Sequence, residues 1–428
     1  VNVWLNLPLA VRIAIVFVAG LALGGAVNWA IYTLAWFSRP ISPWAKPHDG
    51  AAPRHWSDRL PVLGWLGLRR EIELHGKLFW LRPILIELAL ASSLAGLYYW
   101  EVACLGLIPK IPGLIPPAPP MLHAQFLAHA ILIALMTACT FIDFDEKTIP
   151  DEITLPGMLL GLCLAAGLPI SLLPILNPGP PPTVTNLLFS SPAPFPAWAM
   201  SWRGPLSASV AFSVWCLALI PATSTLRRGT FKAVAYYLAS IARRTAWVRL
   251  VLLAAVGSAA IWTFWLVGGA SWQALFSAVA GMAFGAALIW SVRVVGTLGL
   301  REEAMGFGDV TLMAMIGAFL GWQSTLIVLF FSPAGALFVA LAQWLFTGRR
   351  DIAFGPYLCV AAIYTIVFWE SIWNRAQPVF GMGLLLLAIL VACLMLMLGL
   401  LMLMRIIRQA LGGNSTGPPS APERANKT

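Results

Sequence analysis

The sequence predicts an all-α fold, a polytopic bundle of about eleven transmembrane helices at about 20 residues per crossing. Three observations predict it. Hydrophobic residues make up 60% of the chain and charged residues only 10%, against about 25% charged in a soluble domain. The apolar residues fall in runs long enough to cross a bilayer. The basic residues gather in alternate loops, as the positive-inside rule requires for a single membrane orientation.

The predicted spans run 9–36, 82–104, 125–142, 153–175, 206–225, 249–268, 272–295, 308–322, 324–346, 353–371 and 379–405. The first is too long for a signal-peptide core and lacks a basic leader, so it is expected to be a retained span. Residues 308–346 form one apolar stretch. It is split near Gly321-Trp322-Gln323 because an unbroken helix would overshoot the membrane. Arg54, Arg59, Arg69, Arg70 and Lys77 follow the first span, Arg227, Arg228, Lys232, Arg243 and Arg244 the fifth, and Arg349-Arg350 the ninth. The intervening loops hold little beyond Lys110, Arg203 and Arg375. An outside N-terminus and a cytoplasmic C-terminus put every basic loop in the cytoplasm. These loops account for the net charge of +10. With no aromatic single-strand platform or basic recognition helix, the expected surroundings are the lipid bilayer and not nucleic acid.

Residues 177–205, rich in Pro and Ser, read as a flexible extracytoplasmic connector. Residues 227–247 read either as an ordinary basic loop or as an amphipathic helix on the anionic leaflet. The six cysteines sit in or beside apolar runs, and no two are spaced C-x-x-C. They are expected to be small buried residues, not a zinc site or a disulfide framework.

Two carboxylates stand where chemistry is expected. Asp143 closes the third apolar run, and Asp309 opens the eighth after Gly306 and Gly308. Either alone reads as a solvated helix end. Both fall at the cytoplasmic face of the deduced topology, and charge at a membrane boundary is costly unless paired or functional. Two carboxylates at close range share a proton, so one can activate water while the other donates a hydrogen bond to a scissile carbonyl. That arrangement is an aspartic protease's and needs no metal. Two other readings compete. A proton- or cation-coupled secondary transporter would place its charges near the midplane of pseudo-symmetric halves. A catalytically inactive membrane scaffold would keep Asp143 and Asp309 apart.

Asp143 with Ile149-Pro150-Asp151, followed by Ile153-Thr154-Leu155-Pro156, and Gly306-x-Gly308-Asp309 together resemble the type IV prepilin peptidase family of GxGD-type aspartic proteases. So do Gly25-Ala26-Val27-Asn28-Trp29, the segment Trp56-Ser57-Asp58 to Trp65, Arg82-Pro83-Ile84-Leu85-Ile86-Glu87, and Phe354-Gly355-Pro356-Tyr357-Leu358. The resemblance implies a peptidase of the bacterial cytoplasmic (inner) membrane, serving a type IV pilus or type II secretion system. It would cut the short basic leader from prepilin or pseudopilin precursors after a glycine. Asp143 and Asp309 match the catalytic pair, and Gly306, Gly308, Pro150 and Asp151 the supporting motif. Acidic Asp145, Glu146, Asp151 and Glu152 are candidates to attract the basic leader.

The chain also departs from that pattern. Many members bind zinc through two C-x-x-C pairs in the first cytoplasmic loop, whereas residues 38–81 hold no cysteine and only His48, His55 and His75. No zinc is therefore expected, and the second activity of many members, N-methylation from S-adenosylmethionine, is expected to be doubtful. Thr311 stands where Lys is common and Thr33 where Arg is common. The implied organisation is a first transmembrane helix (1–37), a cytoplasmic loop (38–81), spans with the first catalytic aspartate (82–175), an insertion carrying extra spans (176–295), the GxGD segment with its following helices (296–371), a last span (372–411) and a disordered tail (412–428).

Overall fold

The computed structural model describes residues 2–37, 41–48, 50–219, 246–301, 305–347 and 354–410. The helices that matter here are α1 (Leu9–Thr33), α2 (Leu81–Tyr98, continued by a π-helical turn Tyr99–Ala103), α3 (Pro119–Glu146) and α4 (Asp151–Gly167). After a two-stranded hairpin come α5 (Arg203–Ala218), α6 (Ala246–Val267), α7 (Gly269–Leu300) and α8 (Phe307–Leu320). The chain ends with α9 (Trp322–Thr347), α10 (Gly355–Val367), α11 (Trp369–Phe380) and α12 (Leu384–Ala410). Among the described residues, six helices are long and apolar enough to cross a membrane: α1, α2 with its π turn, α3, α6, α7 and α12.

Local chemistry sets the ends of the helices at the centre of the bundle. Helix α3 starts on Pro119, which suits a first turn whose N–H groups lack partners. It stops at Lys147 in the left-handed region (φ 55°), whose N–H donates to the Asp143 carbonyl at 2.9 Å. Helix α4 takes Pro150 as N-cap and places Asp151 and Glu152 in its first turn, where the helix dipole favours negative charge. Helix α8 takes Gly306 as N-cap and ends on Gly321 at φ +83°. That break is where the long apolar stretch of residues 308–346 is expected to divide.

Lipid is as apolar as Leu, so helix association here depends on close van der Waals approach. Helices α7 and α8 meet backbone to backbone. A Cβ on Gly281 would strike the Gly317 carbonyl, one on Gly317 the Gly281 carbonyl, and one on Gly285 the Met313 carbonyl at 2.6 Å. Helix α4 meets the other side of α8: Gly157 receives Met315 and Gly161 receives Phe319, with the Phe319 ring carbon 2.8 Å from a Cβ at 161. Every residue of α8 from Asp309 to Leu320 is consequently buried, as expected of a helix that is apolar all round.

Three expectations need correction or limits. The expected span 353–371 does not continue straight: α10 and α11 meet at 96°. Helix α11 buries Trp369, Trp373 and Phe380 and exposes Ser371, Asn374 and Arg375, so an amphipathic helix follows the bend at Phe368. The Pro- and Ser-rich connector is folded. Pro174–Asn177 pairs antiparallel with Thr183–Asn186, and side chains fasten the segment: Trp369 Nε1 donates to the Pro174 carbonyl at 2.6 Å, Trp322 Nε1 to Phe189 at 2.6 Å and Gln323 Nε2 to Leu188 at 2.8 Å. Cys163 and Cys393 are exposed on the outer faces of their helices, while Cys139, Cys216 and Cys359 are buried; all six cysteines are free. The basic segment 227–247 lies mostly, and the tail 412–428 wholly, outside the described residues.

Candidate active site

The GxGD motif is a helix start. Gly306 is the N-cap, Phe307 and Gly308 follow, and Asp309 is the third helical residue. An acidic residue at that position reaches back to the N-cap amide, and the Asp309 carboxylate accepts from the Gly306 N–H. Gly308 has a separate reason to be glycine: a Cβ there would sit 2.8 Å from Ile149 Cβ and 3.2 Å from the Ile149 carbonyl. The motif is thus pressed onto the short connection between α3 and α4. The Thr311 hydroxyl donates to the Gly308 carbonyl at 3.0 Å and receives the Thr154 hydroxyl at 3.0 Å, linking α8 to α4. Asp151 lies beside Thr311.

Asp143 approaches from the other side, one turn before the end of α3 and 5% exposed. The Gly355 N–H, at the start of α10, faces its carboxylate. A Cβ on Gly355 would lie 2.7 Å from Asp143 Oδ2 and 2.7 Å from Ile149 Cδ1. Asp309 is 7% exposed, and the two carboxylates are within electrostatic reach of each other. Among the described residues, Asp143 Oδ2 is buried with no hydrogen-bond partner. A buried carboxylate oxygen left open beside a second carboxylate is suited to a shared proton or to a reacting group, since unpaired buried polar atoms are otherwise costly.

The structure therefore brings Asp143, Asp309, Gly306, Gly308 and Pro150 together with Asp151 at the rim. The other acidic candidates stand apart from that centre. Asp145 is paired with Arg82 through two hydrogen bonds of 3.0 and 2.7 Å. Glu146 accepts the backbone amides of Trp36 (2.7 Å) and Phe37 (3.0 Å). Glu152 is exposed, as is Asp151. Residues that motif reading did not assign a role also reach the site. Cys359 is within electrostatic reach of both carboxylates and Tyr357 of Asp143, the Tyr357 hydroxyl being buried without a hydrogen-bond partner among the described residues. The Phe354-Gly355-Pro356-Tyr357-Leu358 block carried the only available signal for Tyr357.

The remaining motif blocks converge on Glu87, which is fully buried. Its carboxylate accepts Asn28 Nδ2 (2.8 Å), Trp65 Nε1 (3.0 Å) and the Val62 N–H (2.5 Å). Val62 has φ 60°, a strained value for a β-branched residue. The bond to Glu87 holds that turn against α2. The loop beyond it is organised by ion pairs, Arg70 with Asp58 (2.6 Å) and Arg54 with Glu71. His75 lies 3.3 Å from Glu71, and the His55 N–H donates to Asp58. Among the described residues no three His, Cys, Asp or Glu side chains converge in a way that holds a metal. This donor set, which has no thiolate, does not fit a cysteine-bound zinc.

Fold and site define a multi-pass membrane protein that buries two neighbouring carboxylates, one near the end of α3 and one at the start of α8. Residues 130–179 and 243–341 match the model of the type IV leader peptidase family, and Asp143 and Asp309 fall in separate matched segments. The chain is 36% identical over 112 residues to the prepilin leader peptidase/N-methyltransferase of Aeromonas hydrophila, covering 26% of this chain and 38% of that protein. It is 33% identical over 116 residues to the protein of that name from Pseudomonas putida, covering 26% and 39%. For the Escherichia coli protein the figures are 32% over 101 residues, 23% and 45%. The chain thus matches less than half the length of these relatives. No solved structure matches it.

Proposed function

We propose that this protein is a membrane aspartic endopeptidase of the bacterial inner membrane. It removes the short basic leader from prepilin or pseudopilin precursors by cutting after glycine at the cytoplasmic face. The observation that carries the reading is the pairing of two buried carboxylates, Asp143 and Asp309, one with an open oxygen. A single proton shared between them lets one carboxylate take a proton from the attacking water. The other donates a hydrogen bond to the scissile carbonyl and later protonates the leaving amine. The titration belongs to the pair and not to either residue.

Of the four acidic candidates Asp145 and Glu146 are already partnered, which leaves exposed Asp151 and Glu152 to meet the basic leader. S-adenosylmethionine-dependent methylation is not part of this proposal, because the loop that carries zinc thiolates in many such enzymes is built here from ion pairs. The test uses membranes carrying the parent, Asp143→Asn or Asp309→Asn, mixed with a precursor bearing a Gly-Phe junction. The parent is expected to process it and each variant to lose at least about 10³-fold. Mass spectrometry of the product reads any methylation. A well-folded parent that leaves precursors from its own source intact would refute the peptidase and favour the scaffold.

A further inference from the structure

Helices α2, α3 and α10 enclose an open slot of about 720 Å³, lined almost wholly by apolar side chains. It runs along α2 from Arg82 to Trp100, about 27 Å at 1.5 Å per residue and close to the thickness of a bilayer core. On α2 its wall includes, between Leu85 and Trp100, the small exposed residues Ala89, Ser93 and Gly96, which share one face. Small residues in such a line allow another helix to approach closely, which is how helices associate in lipid. The opposite wall presents no open polar group: the Thr137 hydroxyl is taken by the Ile133 carbonyl at 2.7 Å. Arg82, at the mouth, is neutralised by Asp145.

One end of the slot is level with the carboxylate pair. Phe141 lines it on α3, two residues and about 3 Å of helix rise before Asp143, which faces the other side of that helix. Ile363 and Val367 line it on α10, at four-residue steps along the face that begins with Gly355 against Asp143 and continues through Cys359. A bond cut at Asp143 and Asp309 just before an apolar helix requires that helix to leave the site into lipid. Among the described residues, this slot has that length and begins at the level of the pair, on the far side of α3.

We propose that the slot seats the apolar helix of the precursor, immediately after the bond to be cut. The proposal rests on the peptidase reading above. A side chain added at Gly96 would meet nothing within 4 Å, so Gly96→Leu fills the slot without disturbing the packed bundle, and Leu suits a helix better than Gly. Gly399 on α12, equally open, supplies Gly399→Leu as the control away from the site.

The experiment has two readouts in native-lipid vesicles. First, a photoreactive benzoylphenylalanine replaces Ser93 in the Asp309→Asn chain, and precursor is added. The photoproduct is expected to map to the precursor's apolar helix and to vanish when Gly96→Leu is combined with it. Second, Gly96→Leu is expected to lower kcat/KM about tenfold, chiefly through KM, while Gly399→Leu processes precursor at the parental rate. Photoproducts with lipid alone or with a second copy of the chain, or parental processing by Gly96→Leu, would overturn the proposal. If the parent cuts nothing, the peptidase reading fails separately, and the photoproduct still decides what occupies the slot.

Discussion

Gly355→Ala adds one methyl group at the point where α10 touches the candidate site. The new Cβ would sit 2.7 Å from Asp143 Oδ2 and 2.7 Å from Ile149 Cδ1, against optimal carbon separations of about 3.5–4.0 Å. Relief requires a movement of roughly 0.5–1 Å by the carboxylate, the Ile149 side chain or the start of α10. Overpacking of this kind costs about 1–3 kcal/mol. Displacement of a reacting group by about 1 Å can cost about 10²-fold in rate. The expected result is a fall of about 10- to 100-fold in kcat on a prepilin-like precursor, with a smaller change in the amount of folded protein in the membrane. Gly167→Ala, at an α4 position where a Cβ meets nothing within 4 Å, should process at the parental rate. The two readouts are product formation by gel shift and thermal unfolding in detergent. A Gly355→Ala protein with parental kcat would show that the Asp143 carboxylate need not hold its observed position, and the geometric argument would fail.

Glu87→Ala leaves the Trp65 and Val62 N–H groups and one N–H of Asn28 without an acceptor, the other Asn28 N–H keeping the Pro83 carbonyl, so it should destabilise by about 3–5 kcal/mol at about 1–3 kcal/mol per unsatisfied group, not fully additive. Melting in detergent checks it. Gly317→Ala drives a methyl group into the Gly281 backbone, with an expected loss of about 1–3 kcal/mol and less folded protein extracted from membranes. For Asp58, burial raises the carboxyl's pKa, but the Arg70 hydrogen bonds and charge and the His55 amide outweigh it and hold it below 3.8. A depressed carboxyl stabilises the fold above its unfolded value of about 3.9, and that stability is lost as pH falls through the lower folded value. Limited proteolysis of the 41–80 loop should therefore accelerate below about pH 4. Arg70→Ala, which leaves Asp58 buried and unpaired, should be cut faster already at neutral pH.

Features governed by neighbours along the chain were legible in the sequence. The apolar run expected over 308–322 is the helix Phe307–Leu320, and the break expected near Gly321 occurs there because a glycine takes φ +83°. Gly306-x-Gly308-Asp309 carries its own helix start. Contacts between distant residues were not legible. That Gly355 is glycine because Asp143 lies against it depends on a pairing more than 200 residues apart. Glu87 reads from sequence as a charge inside a span, and only the fold supplies its three donors from α1 and the loop. The 174–186 hairpin was hidden because proline signals a loop, while the donors that fasten it, Trp322, Gln323 and Trp369, come from much later in the chain. The turn at Phe368 was hidden because hydrophobicity continues across it and only the later amphipathic pattern marks the change.

The seam at Gly281 and Gly317 fixes the helix that carries one of the two carboxylates. Asp309 stands on a helix with no free face, joined to α7 through backbone atoms and to α4 through Met315 and Phe319. Such a helix acts as the stator of the site. Asp143 lies near the end of α3, between the buried residues Cys139 and Ile142 on one side and the left-handed residue Lys147 on the other, and meets the first residue of α10. Gly308 and Gly355 both rest on Ile149, so a shift of the Lys147–Pro150 connection would be felt at both carboxylates.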